Sequence, residues 1–254
     1  MPEGDTIAWA ANRIRPVLEG RAPDEILTPQ TRHQLDRWPE RLAGRPVTSV
    51  DTRGKHLFLH FEGGLVLHSH LGMSGYWSVV GKPPTLHGTW LVLRGGNQWV
   101  VQRHGPTLEL ITEGRARFDQ RLAALGPDVL APEFDAPGFL ARLRSDDPTR
   151  PFGDALLDQR NLAGIGNIWK AEGCWEAGVD PWRRAGHVSD EEALAVIHGL
   201  RPRMLRSARE GPRTIEPRVY RRSGRPCPRC GAPVRARGQG DANRTTYWCP
   251  GCQR

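Results

Sequence analysis

Apolar and polar positions alternate in three successive ways along the chain. Ile7, Ala10, Ala11 and Ile14 recur at helical spacing, which predicts an amphipathic helix with Asp5 as its N-cap and Pro16 ending or kinking it. From Arg45 to about Leu110 the pattern becomes short runs of Val, Leu, Phe and Trp between glycines. Residues 57–61 and 65–67 flank Gly63-Gly64, and residues 90–93 and 99–101 flank Gly95-Gly96-Asn97, so each pair reads as a hairpin. Strands that follow one another with no helix between them predict an antiparallel sandwich or barrel.

Helical spacing returns after residue 151. A helix over 152–160 is interrupted by Asn161-Leu162-Ala163-Gly164-Ile165-Gly166-Asn167 and resumes at Ile168. A helix, two glycine-permitted turns and a second helix expose backbone amides and the Asn167 side chain, an arrangement suited to a DNA phosphate. Ser189 and Glu192 form a capping box for a helix running towards Arg209. The expected architecture is α+β and multidomain. It comprises an N-terminal antiparallel β-sandwich with a leading helix (1–130), a Pro-containing linker (131–150), a helical domain (151–225) and a terminal finger (226–254). At 254 residues the chain is long enough to bury two cores.

Charge changes the picture of the C-terminal part. The protein carries a net +8, yet residues 201–254 alone hold fourteen arginines and no lysine against Glu210, Glu216 and Asp241, a local balance of +11. That asymmetry points to a polyanionic partner, for which arginine offers bidentate phosphate contacts; a solvated basic face is the plainer alternative. No apolar run reaches membrane-spanning length and no basic segment leads into a secretory h-region, so the expectation is a soluble protein of the cytoplasm.

Cysteine usage supplies the strongest local motif. Cys227-Pro228-Arg229-Cys230 and Cys249-Pro250-Gly251-Cys252 are separated by eighteen residues, the spacing of a zinc ribbon. Four thiolates leave no open position, so one structural zinc ion is expected, ordering a hairpin too small to fold alone. Arg244 would project from that hairpin as a phosphate clamp. Cys174 is left over as a buried thiol.

Three further features are candidates for chemistry. The chain opens Met1-Pro2-Glu3-Gly4-Asp5, and removal of Met1 would leave a secondary amine beside a carboxylate. An α-amino group titrates at about 7.7 to 8.0 against about 10.4 for lysine, so it can attack an aldehyde-type carbon near neutral pH. The plain alternative is an ordinary start codon and a polar helix lead-in. Lys55, in Arg53-Gly54-Lys55, is either a cation over a phosphate or sugar or a solvated edge charge. Met73, between Gly72 and Gly75, is either a wedge for a base-pair step or a filler of a core gap. His56, His60, His68 and His70 have no recognisable ligand spacing and read as strand residues.

Together and in this order, these residues resemble the formamidopyrimidine-DNA glycosylase and endonuclease VIII family of base-excision repair enzymes, over nearly the whole chain. The resemblance implies Pro2 as Schiff-base nucleophile, Glu3 as proton donor, Lys55 in sugar-phosphate contact and β-elimination, and Asn167 as phosphate ligand. Arg244, five residues before Cys249, would support δ-elimination. The implied protein is a bifunctional DNA glycosylase and AP lyase, acting as a monomer on damaged double-stranded DNA and abasic sites. The Pro-Glu-Gly-Asp start and residues 126–130 look like the endonuclease VIII branch, which implies oxidised pyrimidines as substrates. The His70–Gly75 loop is similar to the formamidopyrimidine branch, which leaves an oxidised-purine glycosylase as the alternative. The Arg-Arg-Phe loop of that branch is not evident; Arg103-His104-Gly105-Pro106 takes its place. A different class, a non-catalytic zinc-ribbon nucleic-acid binder, accounts for the cysteines and charge but not for Pro2, Glu3 and Lys55.

Overall fold

In a computed structural model the described residues are 2–254; Met1, whose removal the amine chemistry requires, lies outside them. The chain divides into two compact units, one of Pro2 and residues 6–123, the other of residues 3–5 and 124–254.

The first unit is built on two four-stranded antiparallel sheets. One has the order β2-β3-β4-β8, from Val47–Arg53, His56–Phe61, Leu65–His70 and Thr107–Thr112; the other is β1-β6-β7-β5, from Glu25–Leu27, Thr89–Gly95, Gln98–Arg103 and Tyr76–Val80. Both hairpins expected from the glycines are present, as β3-β4 and β6-β7. Period-two alternation sends Leu57, Leu59 and Phe61 of β3 into a core shared with Leu67, Leu91, Leu93 and Val100. Ile7, Ala11 and Ile14 of helix α1 (Gly4–Leu18) close that core. Each such leucine, isoleucine, valine or phenylalanine side chain contributes about 1.5–3 kcal/mol on burial. Short helices α2 (Thr31–Leu35), α3 (Trp38–Leu42), α4 (Glu113–Arg117) and α5 (Gln120–Ala123) flank the strands.

Helix α1 corrects two details of the sequence pattern. It begins at Gly4, so Asp5 lies in its first turn rather than at the N-cap, and it continues through Pro16 to Leu18. Val17 and Leu18 are buried in the core, and their packing holds the last turn despite the backbone donor that proline lacks.

The second unit contains α6 (Ala136–Ser145), α7 (Phe152–Leu157), α8 (Asn167–Ala177) and α9 (Asp190–Glu210), followed by the hairpin β9-β10 (Arg235–Gln239, Arg244–Trp248). Half of the expected linker over 131–150 is instead α6, capped by Asp135 and burying Phe139 and Leu143 in this unit's core. Pro137 sits at the helix start, where no N–H is needed. Ser189 and Glu192 make both bonds of the capping box at the start of α9. Several arginines counted towards a polyanion surface are engaged internally. Arg201 donates to the carbonyls of Val129 and Ala131, Arg203 to Glu172 and Arg206 to Glu210. Among the described residues no helix is long and apolar enough to cross a membrane.

Candidate active site and metal centre

Glu3 is the best-anchored of the candidate groups. Although it is the second described residue of the chain, its side chain is 1% exposed. One carboxylate oxygen accepts from the amides of Gly166 (3.0 Å) and Trp169 (3.2 Å), the other from the amide of Ile168 (2.8 Å). These are donors at the start of α8, which a helix leaves without intrahelical partners and which favour negative charge. Gly4 adds a backbone bond to the carbonyl of Gly164, and Asp5 accepts a hydrogen bond from Ser207. A side chain at 166 has no room, because a Cβ there would lie 2.6 Å from Glu3 Cγ. Amides of the glycine-rich break, expected to face a DNA phosphate, are instead the socket of the Glu3 carboxylate. Pro2, half-buried, precedes that carboxylate by one peptide bond.

Within the sandwich unit, Lys55 occupies the two-residue turn Gly54-Lys55 between β2 and β3, with Gly54 at a φ of +58°. It is half-buried. Met73 is 67% exposed, so it is not a core filler. Its loop is held from below: a Cβ at Gly72 would meet Pro106 Cδ at 2.6 Å, and one at Gly75 would meet the Leu71 carbonyl at 2.6 Å and Gly105 Cα at 2.8 Å. The two glycines thus let the loop pack directly on the 104–106 turn, leaving the methionine as its protruding group.

In the second unit, Asn167 opens α8 and donates its amide to the carbonyl of Thr245 in β10 at 2.7 Å. One turn on, Lys170 is fully buried and donates to Thr246 Oγ1 (2.5 Å) and Gln239 Oε1 (3.3 Å). Gln239 in turn donates to the Pro181 carbonyl. The hairpin that carries exposed Arg244 is thereby moored to α8 at two points. Neither mooring was legible in the sequence, where Lys170 looks like any helical lysine. Glu172, also on α8, is another buried acid: it accepts from the amides of Arg218, Val219 and Tyr220 and from Arg203, fixing the chain that enters the finger.

Burial pushes the Lys170 ammonium down to about 8, against the partly offsetting attraction of Cys174 and Asp154. A lysine whose folded pKa lies below its unfolded value of 10.5 penalises the folded state at low pH. The penalty is complete below pH 8 and is relieved as pH rises from 8 to 10.5, by up to about 3 kcal/mol. Lys170→Met is therefore expected to flatten the pH dependence of the urea midpoint across that window relative to the parent protein. Parallel curves for the two proteins would refute this.

The four finger cysteines converge. Their sulfurs all lie within 4.8 Å of one another, with Cys227 and Cys252 at 3.8 Å and Cys230 and Cys249 at 3.4 Å. Tetrahedral thiolate coordination at about 2.3 Å from a zinc ion separates sulfurs by about 3.8 Å, so the set fits one ion. Trp175 Nε1 and the Arg229 amide both donate towards Cys227 Sγ, orienting that ligand. Cys174, the leftover thiol, is fully buried, and burial pushes it up to about 12.

Comparison with known proteins places these features in context. Residues 1–106 match the formamidopyrimidine-DNA glycosylase N-terminal domain and residues 125–217 the formamidopyrimidine-DNA glycosylase H2TH domain. A protein of Streptomyces coelicolor described as probable endonuclease 8 2 is 42% identical, covering 100% of this chain and 94% of its own length. The DNA-(apurinic or apyrimidinic site) lyase Nei2 of Mycolicibacterium smegmatis is 34% identical over 100% of this chain and 99% of its own. In three dimensions the chain is similar to Lactococcus lactis Fpg (MutM), solved with DNA containing N7-benzyl-Fapy-dG. The TM-score is 0.85 and both chains are fully covered at 23% identity, a likeness of fold.

Proposed function

The chain belongs to the formamidopyrimidine-DNA glycosylase and endonuclease VIII family of DNA glycosylases and AP lyases of base-excision repair, and from that membership we propose that Pro2 is its nucleophile and oxidised pyrimidines its preferred substrates. The observation that carries the assignment of residues is the socket of Glu3: a buried carboxylate held on three amides, on the residue next to the one whose amine Met1 removal would create.

The damaged nucleotide leaves the stack, at lower cost where its base pairs poorly. The Pro2 nitrogen attacks C1′, the bond to the base breaks, and Glu3 transfers the proton that accompanies ring opening or base departure. A secondary amine gives an iminium with no N–H to lose, so its positive charge persists and acidifies the C2′ hydrogen. Loss of that hydrogen expels the 3′ phosphate; Lys55 holds the sugar-phosphate through this β-elimination. Arg244 and Asn167 bind flanking phosphates, Arg244 assisting the second, δ-elimination. Met73 enters the space left in the stack. Zinc holds the finger when bound by Cys227, Cys230, Cys249 and Cys252. The site of action is intracellular DNA.

The preference for pyrimidines is supported by the relatives described as endonuclease 8, including that of Escherichia coli at 32% identity over the whole of both chains. Single-turnover excision of thymine glycol against 8-oxoguanine in matched duplexes checks it; faster removal of the purine would reverse the preference. For the nucleophile, borohydride reduction on an abasic-site duplex is expected to give a covalent adduct whose linked peptide begins at Pro2. An adduct mapping to Lys55 would sink the assignment.

A further inference from the structure

The outer face of the β2-β3-β4-β8 sheet carries three imidazoles and a carboxylate that the reaction as described leaves without a role. Cross-strand register places His56 opposite His70, and His68 opposite Glu109. His68 Nδ1 lies 2.9 Å from Glu109 Oε1, and His68 Nε2 lies 2.9 Å from His56 Nδ1. The His56 ring sits 4.7 Å from that of His70, on the strand that begins immediately after Lys55.

An ionised carboxylate only accepts, so His68 Nδ1 must donate to Glu109. A neutral His68 then has an acceptor at Nε2, which His56 Nδ1–H fills, and a neutral His56 is left with its lone pair on Nε2. Both rings are neutral because burial holds them below the usual histidine range, His56 at about 3. His70 is lowered too, by burial and then by the Lys55 ammonium. The other charged groups around the chain are Arg53 and Asp51 on β2, His60 on β3, Asp119 just before α5 and Arg121 within it; Arg121 contacts both Asp119 and Glu109.

We propose that Glu109 and His68 are positioning residues that fix the tautomer of His56, making the Glu109–His68–His56 chain a proton acceptor beside Lys55 for the elimination step. Uptake of one proton at His56 Nε2 passes the His56 Nδ1 proton to His68 Nε2 and the His68 Nδ1 proton to Glu109. Counting the C2′–H bond that the elimination breaks, three bonds to hydrogen break and three form, and the electron pair of that C–H bond forms the new double bond as the 3′ phosphate leaves, with no further reagent. The proposal rests on the AP lyase activity and on Lys55 acting in it.

Two measurements test it. Nitrogen-15 shifts of the imidazoles in the full-length protein are expected to report the Nδ1–H tautomer for both His56 and His68; Nε2–H tautomers would overturn the chain, whatever the activity. In single-turnover cleavage of a preformed abasic site, Glu109→Gln is expected to slow elimination about a hundredfold, at the low end of what positioned proton transfer contributes. It is also expected to shift the acid limb of the pH profile, with a smaller effect on imine trapping. An unshifted profile, or equal loss of trapping and elimination, would reduce these residues to sheet packing. Absence of trapping in the parent protein would instead defeat the functional assignment and leave the tautomer measurement standing.

Discussion

Glu3→Gln is expected to lower the rate of base excision by about 10²–10⁴-fold, the range of a lost proton-transfer group, while much of the cleavage of a preformed abasic site survives. The substitution has a second effect that must be weighed. Glutamine offers one oxygen where the amides of Gly166, Ile168 and Trp169 now meet two, so at least one amide faces an NH2 group. An unsatisfied buried donor costs about 1–3 kcal/mol, enough to displace the neighbouring Pro2 as well. The two effects separate by step. Lost proton transfer spares the abasic substrate, whereas a displaced Pro2 slows both substrates equally. Single-turnover rates on a damaged-base duplex and an abasic duplex decide, and full activity on damaged bases would remove Glu3 from the mechanism.

Cys249→Ser is expected to release the metal and weaken binding to damaged and undamaged duplex by a hundredfold or more, with the sandwich unit still folded. Structural zinc contributes roughly 10–16 kcal/mol to peptides of this kind, whereas each mooring of the hairpin, by Asn167, Lys170 or Gln239, contributes only about 0.5–1.5 kcal/mol. The moorings therefore cannot hold the finger once the ion has gone. Arg244→Ala isolates the contact from the scaffold: it should keep the metal and reduce the slope of log K against log salt by roughly 0.9, the value for one neutralised phosphate. Metal content with binding titrations at several salt concentrations measures both, and unaltered affinity in the Cys249→Ser protein would make the finger irrelevant to binding.

The sandwich, the capping box and the cysteine cluster were legible because each depends on local signals: period-two alternation, glycine turns, a Ser and Glu three apart, and CxxC spacing. Glu3 was legible as a candidate, but its socket was not, since the partner amides lie more than 160 positions away and backbone amides leave no trace in residue type. Lys170 and Glu172 were invisible for a related reason: a helix turn does not announce which of its charged groups will be covered. The proline-bearing stretch over 131–150 misled because Pro137 at a helix start looks, in sequence, like the flanking Pro132 and Pro148 outside the helix. The histidines gave the one usable hint that was passed over. His68 and His70 are two apart on one strand and must share a face, and His56 pairs with that strand through the Gly63-Gly64 hairpin.

The division of the first five described residues between units also sets an order in time. Glu3, Gly4 and Asp5 leave the ribosome long before their partners, Gly164, Gly166, Ile168, Trp169 and Ser207. The strands of the sandwich are complete by Thr112. At about 5–20 residues per second, the wait from there until Ser207 has been made is on the order of ten seconds. During that interval a nascent chain can hold a finished sandwich while the carboxylate at its head still has nowhere to dock, so abandoned translation products ending before α8 would carry the amine and the sheet without the seated acid.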